Sequence, residues 1–280
     1  MFLLFIIIYF IHNVYSVYFL KHRWKNKLKE KYYLKCKSNF NFEKIPKICY
    51  QTWKNKNLPK GIKIIRKKNK EINPDIKFIL YDDQECENFI KNNFNKKIYN
   101  AYQKINYSVI KADFWRYCIL YKKGGIYLDI KSLINTRLFD NIIKDDDICI
   151  LDKFRKKWTL YRETNITNGS IEQYLLIFCK GHPYLETIIN ILTDNILNNQ
   201  ICIPVGLKKY NKNNTKEKIL RLSGPDFIGA VINLYVTTNC LLHREIDYTK
   251  ISMIRLIKNN IHYSEDKHYS EIDNDLLSNP

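Results

Sequence analysis

The chain has 280 residues, 45% hydrophobic and 14% aromatic, which is enough to bury a sizeable core in one large domain or two small ones and excludes wholesale disorder or a collagen-like repeat. Its 47 Lys and Arg against 28 Asp and Glu leave a formal charge of +19, which favours polyanions or a negatively charged membrane surface. Only nine of those cations are Arg and 31 residues are Asn, so the basic bias is diffuse and no nucleic-acid partner is expected, while eight cysteines without a C-x-x-C pair exclude a zinc ribbon and read as buried reduced thiols.

Residues 1–20 carry no Asp, Glu, Lys or Arg. A span of about 20 apolar residues is what a bilayer core requires, so this segment is expected to be a transmembrane anchor or a signal peptide. Residues 21–44 form a basic stem, with seven Lys or Arg between Lys21 and Lys35. The positive-inside bias then places the globular part, residues 45–280, in the cytoplasm; used sequons at Asn106, Asn165, Asn168 or Asn213 would place it in a secretory lumen instead.

Ile45–Trp53 (IPKICYQTW) reads as a buried strand and Ile76–Tyr81 as a second, introduced by the turn Asn73-Pro74-Asp75. Leu58–Ile72 between them is a basic helix or loop. Gln84–Phe94 has helical spacing, with Asp82 or Asp83 as its cap. Residues 105–123 place Ile105, Val109, Ala112, Trp115 and Ile119 on one helical stripe, ended by Gly124-Gly125. Ile126–Lys131 alternates as a strand and Ile148–Leu151 is another, after an acidic turn, Asp145–Asp147, expected to be solvated. Residues 171–198 read as one or two helices broken at Gly181-His182-Pro183, residues 205–218 as a polar surface loop, and Phe227–Val236 as a helix opened by Gly224-Pro225. The order predicts an α/β fold with helices on both sides of a sheet.

Asp113 and Arg116 are three apart on the helix before the glycine pair and project side by side, and Asp129 lies toward the carboxyl end of the next strand, where open α/β sheets bind ligands. A guanidinium offers a planar fork of donors to phosphate, and a carboxylate accepts hydroxyl hydrogens, so the pair suits a phosphorylated sugar; the same spacing also makes an ordinary helix salt bridge.

The string ADFWRYCILYKKGGIYLDIK, Ala112–Lys131, resembles the central motif of glycosyltransferase family 32, whose sugar-binding region contains a DXD motif. In the family's order, IPKICYQTWKNKNLP (45–59), NPDIKFILYDDQECENFI (73–90), IEQYLLIFCKGHPYL (171–185) and LSGPDFIGAVI (222–232) match as well. The resemblance implies a GT-A type nucleotide-sugar-binding fold with a mixed sheet, and retaining transfer of a sugar from a nucleotide-sugar donor to a hydroxyl of a glycan, glycoprotein or glycolipid. It implies Asp113, Arg116 and Asp129 as catalytic residues, the first two holding the donor sugar and its phosphate. Thr52, Trp53, Tyr127, Lys131, Gln173, Ser223 and Gly224 are implied as donor-binding, with Trp53 the candidate wall for base or ribose.

One position departs from that pattern. Where the motif has its second carboxylate this chain has Lys131. That carboxylate would bind the divalent ion, Mn²⁺ or Mg²⁺, that neutralises the leaving diphosphate. Two arrangements stay open: Asp129 holds the metal with help from the tail, where His268 and Glu271 are the nearest counterparts, or Lys131 itself neutralises phosphate. Two other functions stay open too: a sugar- or nucleotide-binding descendant that has lost catalysis, and a basic, membrane-tethered nucleic-acid binder.

Overall fold

A computed structural model describes residues 42–152, 170–199, 215–236, 241–246 and 254–256. The expected anchor (1–20), almost all of the stem, most of the loop at 205–218 and the tail with His268 and Glu271 lie outside the described residues.

The elements run β1 (Ile48–Thr52), α1 (Lys60–Ile72), β2 (Lys77–Tyr81), α2 (Asp83–Asn93), α3 (Lys96–Gln103), α4 (Ser108–Lys123), β3 (Gly125–Leu128), β4 (Ser132–Ile134), α5 (Leu138–Asn141), β5 (Cys149–Asp152), β6 (Leu175–Phe178), α6 (Pro183–Leu197), α7 (Thr215–Leu222), α8 (Pro225–Val236), β7 (Arg244–Ile246) and β8 (Ile254–Leu256). Six strands make one sheet in the order β2-β1-β3-β6-β5-β7, and β4 pairs with β8 apart from it. β1 is parallel to β2 and β3, β6 is antiparallel to β3 and β5, and β7 is parallel to β5, so the sheet is mixed as expected.

Strand alternation divides the core. Tyr50, Tyr127, Leu176, Phe178 and Leu151 face one apolar cluster with α2, α3, α4, α6 and α8, while Cys49, Ile126, Leu128, Leu175, Ile177 and Ile150 face a second with α5. The capping reading holds: Asp82 accepts from Glu85 N–H and Glu85 returns the bond. The glycine pair stops α4 as read, and only glycine suits it. Gly124 and Gly125 have φ of +64° and +103°, and a Cβ on Gly125 would stand 2.6 Å from the carbonyl oxygen of Ile48. That contact is the close parallel approach of β3 to β1. The five described cysteines, Cys49, Cys86, Cys118, Cys149 and Cys179, are buried free thiols.

Four readings are corrected. Residues 175–178 form a strand rather than the start of a helix, because a four-residue apolar run buried on both faces between β3 and β5 carries no helical period. β3 ends at Leu128, and the expected strand through Lys131 turns instead, with Ser132 N–H donating to Asp129 O at 2.9 Å. α4 begins at Ser108, and every residue from Asp113 to Leu120 is buried, so the helix is central rather than one-striped. Asp147 is not solvated: it is buried and accepts from Arg244 Nε at 2.7 Å, fastening β7 beside β5. Lys218–Val236 has the length and apolarity of a membrane span, but 83% of that stretch is buried within the fold, as in a core helix.

Candidate functional site

α4 carries Asp113 and Arg116 into the interior on consecutive turns. Arg116 Nη2 donates to Asp113 Oδ1 at 3.0 Å, and both side chains are almost wholly enclosed, at 7% and 5% exposure. The same Nη2 lies 3.5 Å from Asp129 Oδ1, whose side chain is 38% exposed. A buried ion pair therefore opens to solvent through a third charge at the carboxyl end of β3. Arg116 Nη1 donates to the Gln173 carbonyl oxygen at 3.0 Å and to Gln173 Oε1 at 3.3 Å. Its guanidinium also lies 4.4 Å from the centre of the Tyr127 ring.

The far side of the pair is closed by the turn between α7 and α8. Ser223 Oγ donates to Asp113 Oδ2 at 2.6 Å, and the Ser223 carbonyl accepts from Tyr117 Oη at 2.6 Å and from Gln173 Nε2 at 3.1 Å. Gly224 serves that turn: a Cβ there would meet the Leu220 backbone at 2.7 Å. Gln173 and Ser223, two of the residues implied as donor-binding, are thus hydrogen-bonded to Arg116 and Asp113 respectively. Tyr117, which also accepts from Gln173 Nε2 at 2.6 Å, was missed, since it sits within an unbroken apolar stretch of α4.

Tyr127 Oη donates to Asp129 Oδ1 at 2.9 Å. Across the mouth, Lys131 Nζ lies 5.7 Å from the centre of the Trp53 ring, just past the end of β1. Thr52 stands apart from this network, its hydroxyl 3.3 Å from Cys86 Sγ on α2. The turn bearing Lys131 is held from beneath by Asn69 of α1, whose Nδ2 donates to Ser132 O at 2.9 Å and whose Oδ1 accepts from Ile134 N–H at 2.8 Å. An Asn on the buried stripe of a basic helix, behind Ile62 and Ile65, is the sequence signal that would have found it.

Electrostatics follow from burial. Burial pushes the Asp113 carboxyl up to about 6, against Arg116 and Ser223, which favour its ionised form. Burial alone would lower Arg116; Tyr127, Asp113 and Asp129 more than offset it, so the guanidinium stays cationic. Burial pulls Lys131 below the ordinary lysine value, opposed by the Asp129 charge. Among the described residues, Arg116 Nε and Trp53 Nε1 are buried donors with no hydrogen-bond partner, the kind of group that a ligand or water normally meets.

A divalent ion does not fit the described residues. None of them form a group of three or more His, Cys, Asp or Glu able to hold one. Asp129, the one carboxylate left from the expected motif, already accepts from Tyr127 and faces Arg116. Octahedral Mg²⁺ needs several oxygen ligands.

Residues 31–149, which include Asp113, Arg116 and Asp129, match the family model described as "Glycosyltransferase sugar-binding region containing DXD motif". The chain is 31% identical over 145 residues to inositol phosphoceramide mannosyltransferase 3 of Schizosaccharomyces pombe, covering 52% of this chain and 36% of that protein. It is 26% identical over 199 residues to the initiation-specific alpha-1,6-mannosyltransferase of Candida albicans, covering 65% of this chain and 49% of that protein. The chain thus spans half or less of the length of these curated relatives. Among solved structures, a chain titled PaToxG Glycosyltransferase aligns with a TM-score of 0.48 and 15% identity, over 80% of this chain and 77% of that one.

Proposed function

We propose that the chain, whose residues 31–149 match the model of the glycosyltransferase sugar-binding region containing the DXD motif, is a member of that family and transfers a sugar from a nucleotide-sugar donor to a hydroxyl acceptor. The observation that carries this reading is the buried Asp113–Arg116 pair opening through Asp129 at the carboxyl end of β3, beside Trp53 at the end of the neighbouring parallel strand. A GT-A arrangement is part of the proposal and is supported by the mixed sheet with its parallel half, β2-β1-β3.

Asp113 accepts hydroxyl hydrogens of the donor sugar. Arg116, braced by Gln173 and fixed in its charge, turns its donors toward the sugar and the adjoining phosphate. Tyr127 orients Asp129 toward the ribose side, and Trp53 walls the base. These groups are pre-positioned by packing, so they favour the charge-separated transition state without reorganising. Transfer with retention at the anomeric carbon is the stereochemical outcome proposed. The names of the relatives make a mannosyl donor and an inositol phosphoceramide head group the first substrates to try. Residues 1–20 are proposed to hold the enzyme at the membrane where such an acceptor resides, with the catalytic part cytoplasmic.

The test is a screen of nucleotide sugars for slow hydrolysis by the full chain, repeated with Asp113→Asn. One donor hydrolysed well above the others, and lost in the variant, is expected. A second reading, a binding protein without catalysis, is favoured by one observation, the lysine at position 131; it predicts saturable donor binding with no hydrolysis of any donor.

A further inference from the structure

We propose that Lys131 stands in for the divalent cation of the acidic motif, so that the diphosphate of the donor is bound by its ammonium and without metal. This rests on the nucleotide-sugar reading above and deepens it.

Charge balance is the first support. The mouth holds two carboxylates, Asp113 and Asp129, and two cations, Arg116 and Lys131. With an acid at position 131 it would hold three carboxylates against one guanidinium. The deficit of two charges is what a divalent ion supplies, and the lysine removes it within the chain. A metal added beside Arg116 and Lys131 would face two fixed positive charges and one carboxylate already engaged by Tyr127.

Position is the second. The lysine is not on a mobile arm. The Asp129–Ser132 turn is closed by its own backbone bond and the following strand is clamped from α1 by both ends of the Asn69 amide. Trp53 lies under the ammonium from just past β1, so Lys131 stands at the ends of the neighbouring strands β1 and β3, between the base wall and Asp129. A diphosphate linking a base on Trp53 to a sugar at Asp113 must cross that gap. Lysine is a compact, rotatable point charge that serves phosphate in any geometry, whereas a metal needs its ligands placed around it.

Chemically, the anomeric C–O bond breaks with its electron pair leaving on the β-phosphate oxygen, the acceptor oxygen forms the new C–O bond, and the acceptor's proton passes to that phosphate oxygen. Lys131 keeps its proton throughout and donates hydrogen bonds to the oxygens on which charge accumulates.

The test is calorimetric binding of UDP and GDP to the full chain, in EDTA and in Mn²⁺, with thermal melts to confirm folding. For the parent protein one nucleoside diphosphate is expected to bind equally, within about twofold, in both buffers. Lys131→Ala should weaken it at least tenfold in both, and Lys131→Arg should restore most of it. Lys131→Asp should bind poorly in EDTA and regain affinity in Mn²⁺, a crossing that loss of packing would not produce. Parent binding that disappears in EDTA and returns with Mn²⁺, or parental affinity in Lys131→Ala, overturns the proposal and leaves the nucleotide-sugar reading standing. Absence of binding by the parent in both buffers overturns both.

Discussion

Replacing Asp113 by Asn separates a functional carboxylate from a structural one. The carboxyl accepts from Ser223 at 2.6 Å and from Arg116 at 3.0 Å, yet burial still pushes it up from the ordinary aspartate range to about 6. At about 1.36 kcal/mol per pH unit, folding therefore disfavours the ionised form by roughly 3 kcal/mol at neutral pH. An uncharged amide of the same shape escapes that cost. Arg116 remains compensated by Asp129, the Tyr127 ring and both Gln173 oxygens. Stability should consequently hold or rise, with Tm no more than about 5 °C below the parent on a scale of about 2–4 °C per kcal/mol. Catalysis should respond in the opposite direction. Two charge-assisted bonds to sugar hydroxyls, each worth about 1.5–3 kcal/mol, amount to a loss of roughly 10²- to 10⁴-fold. Initial rates of donor hydrolysis measured beside thermal melts read both quantities. Activity within threefold of the parent would refute the role, and so would a loss of activity matched by a melting temperature more than about 10 °C lower.

The same carboxyl sets a pH dependence: parental activity should fall as pH drops through about 6, and the residual activity of Asp113→Asn should lack that inflection. The sign excludes acid unfolding at this residue as the cause, because a folded-state pKa above the unfolded one makes its contribution to stability greatest below pH ~4 and smallest above ~6. Arg116→Ala should destabilise the domain by about 3–5 kcal/mol in urea titration, since it leaves Asp113 buried without its counterion; an unchanged midpoint would show that the pair is not coupled. Gly125→Ala should cost about 2–3 kcal/mol or abolish soluble expression, from its φ of +103° and the 2.6 Å approach to Ile48 O, and a parental melt would contradict that backbone geometry.

What could be read along the chain was what is decided locally. The cap at Asp82, the Gly124-Gly125 stop and the three-residue spacing of Asp113 and Arg116 are each set within one or two turns, and each stands where expected; the return bond from Glu85 was not foreseen. β6 was misread because Leu175–Phe178 is apolar on every residue, and its strand character comes from β3 and β5 on either side. The partners that make the ion pair a site lie far along the chain: Gln173 is 57 residues from Arg116, and Ser223 is 110 from Asp113. Those two were reached only through family resemblance. Asp147 was misjudged for the same physical reason, its partner Arg244 being 97 residues away. The Asn69 clamp was not foreseen, because its partners Ser132 and Ile134 lie 63 and 65 residues along the chain.

The central claim is that a nucleotide sugar sits at the carboxyl ends of β1 and β3, against Asp113 and Arg116. Photoaffinity labelling with a diazirine-bearing nucleotide sugar, mapped by mass spectrometry, tests this directly. Labels are predicted at Trp53, within Tyr127–Lys131 or at Ser223–Gly224, displaced by excess unlabelled donor and strongly diminished in Asp113→Asn. Saturable labelling confined to other parts of the chain, with Asp113→Asn labelled like the parent, would contradict it.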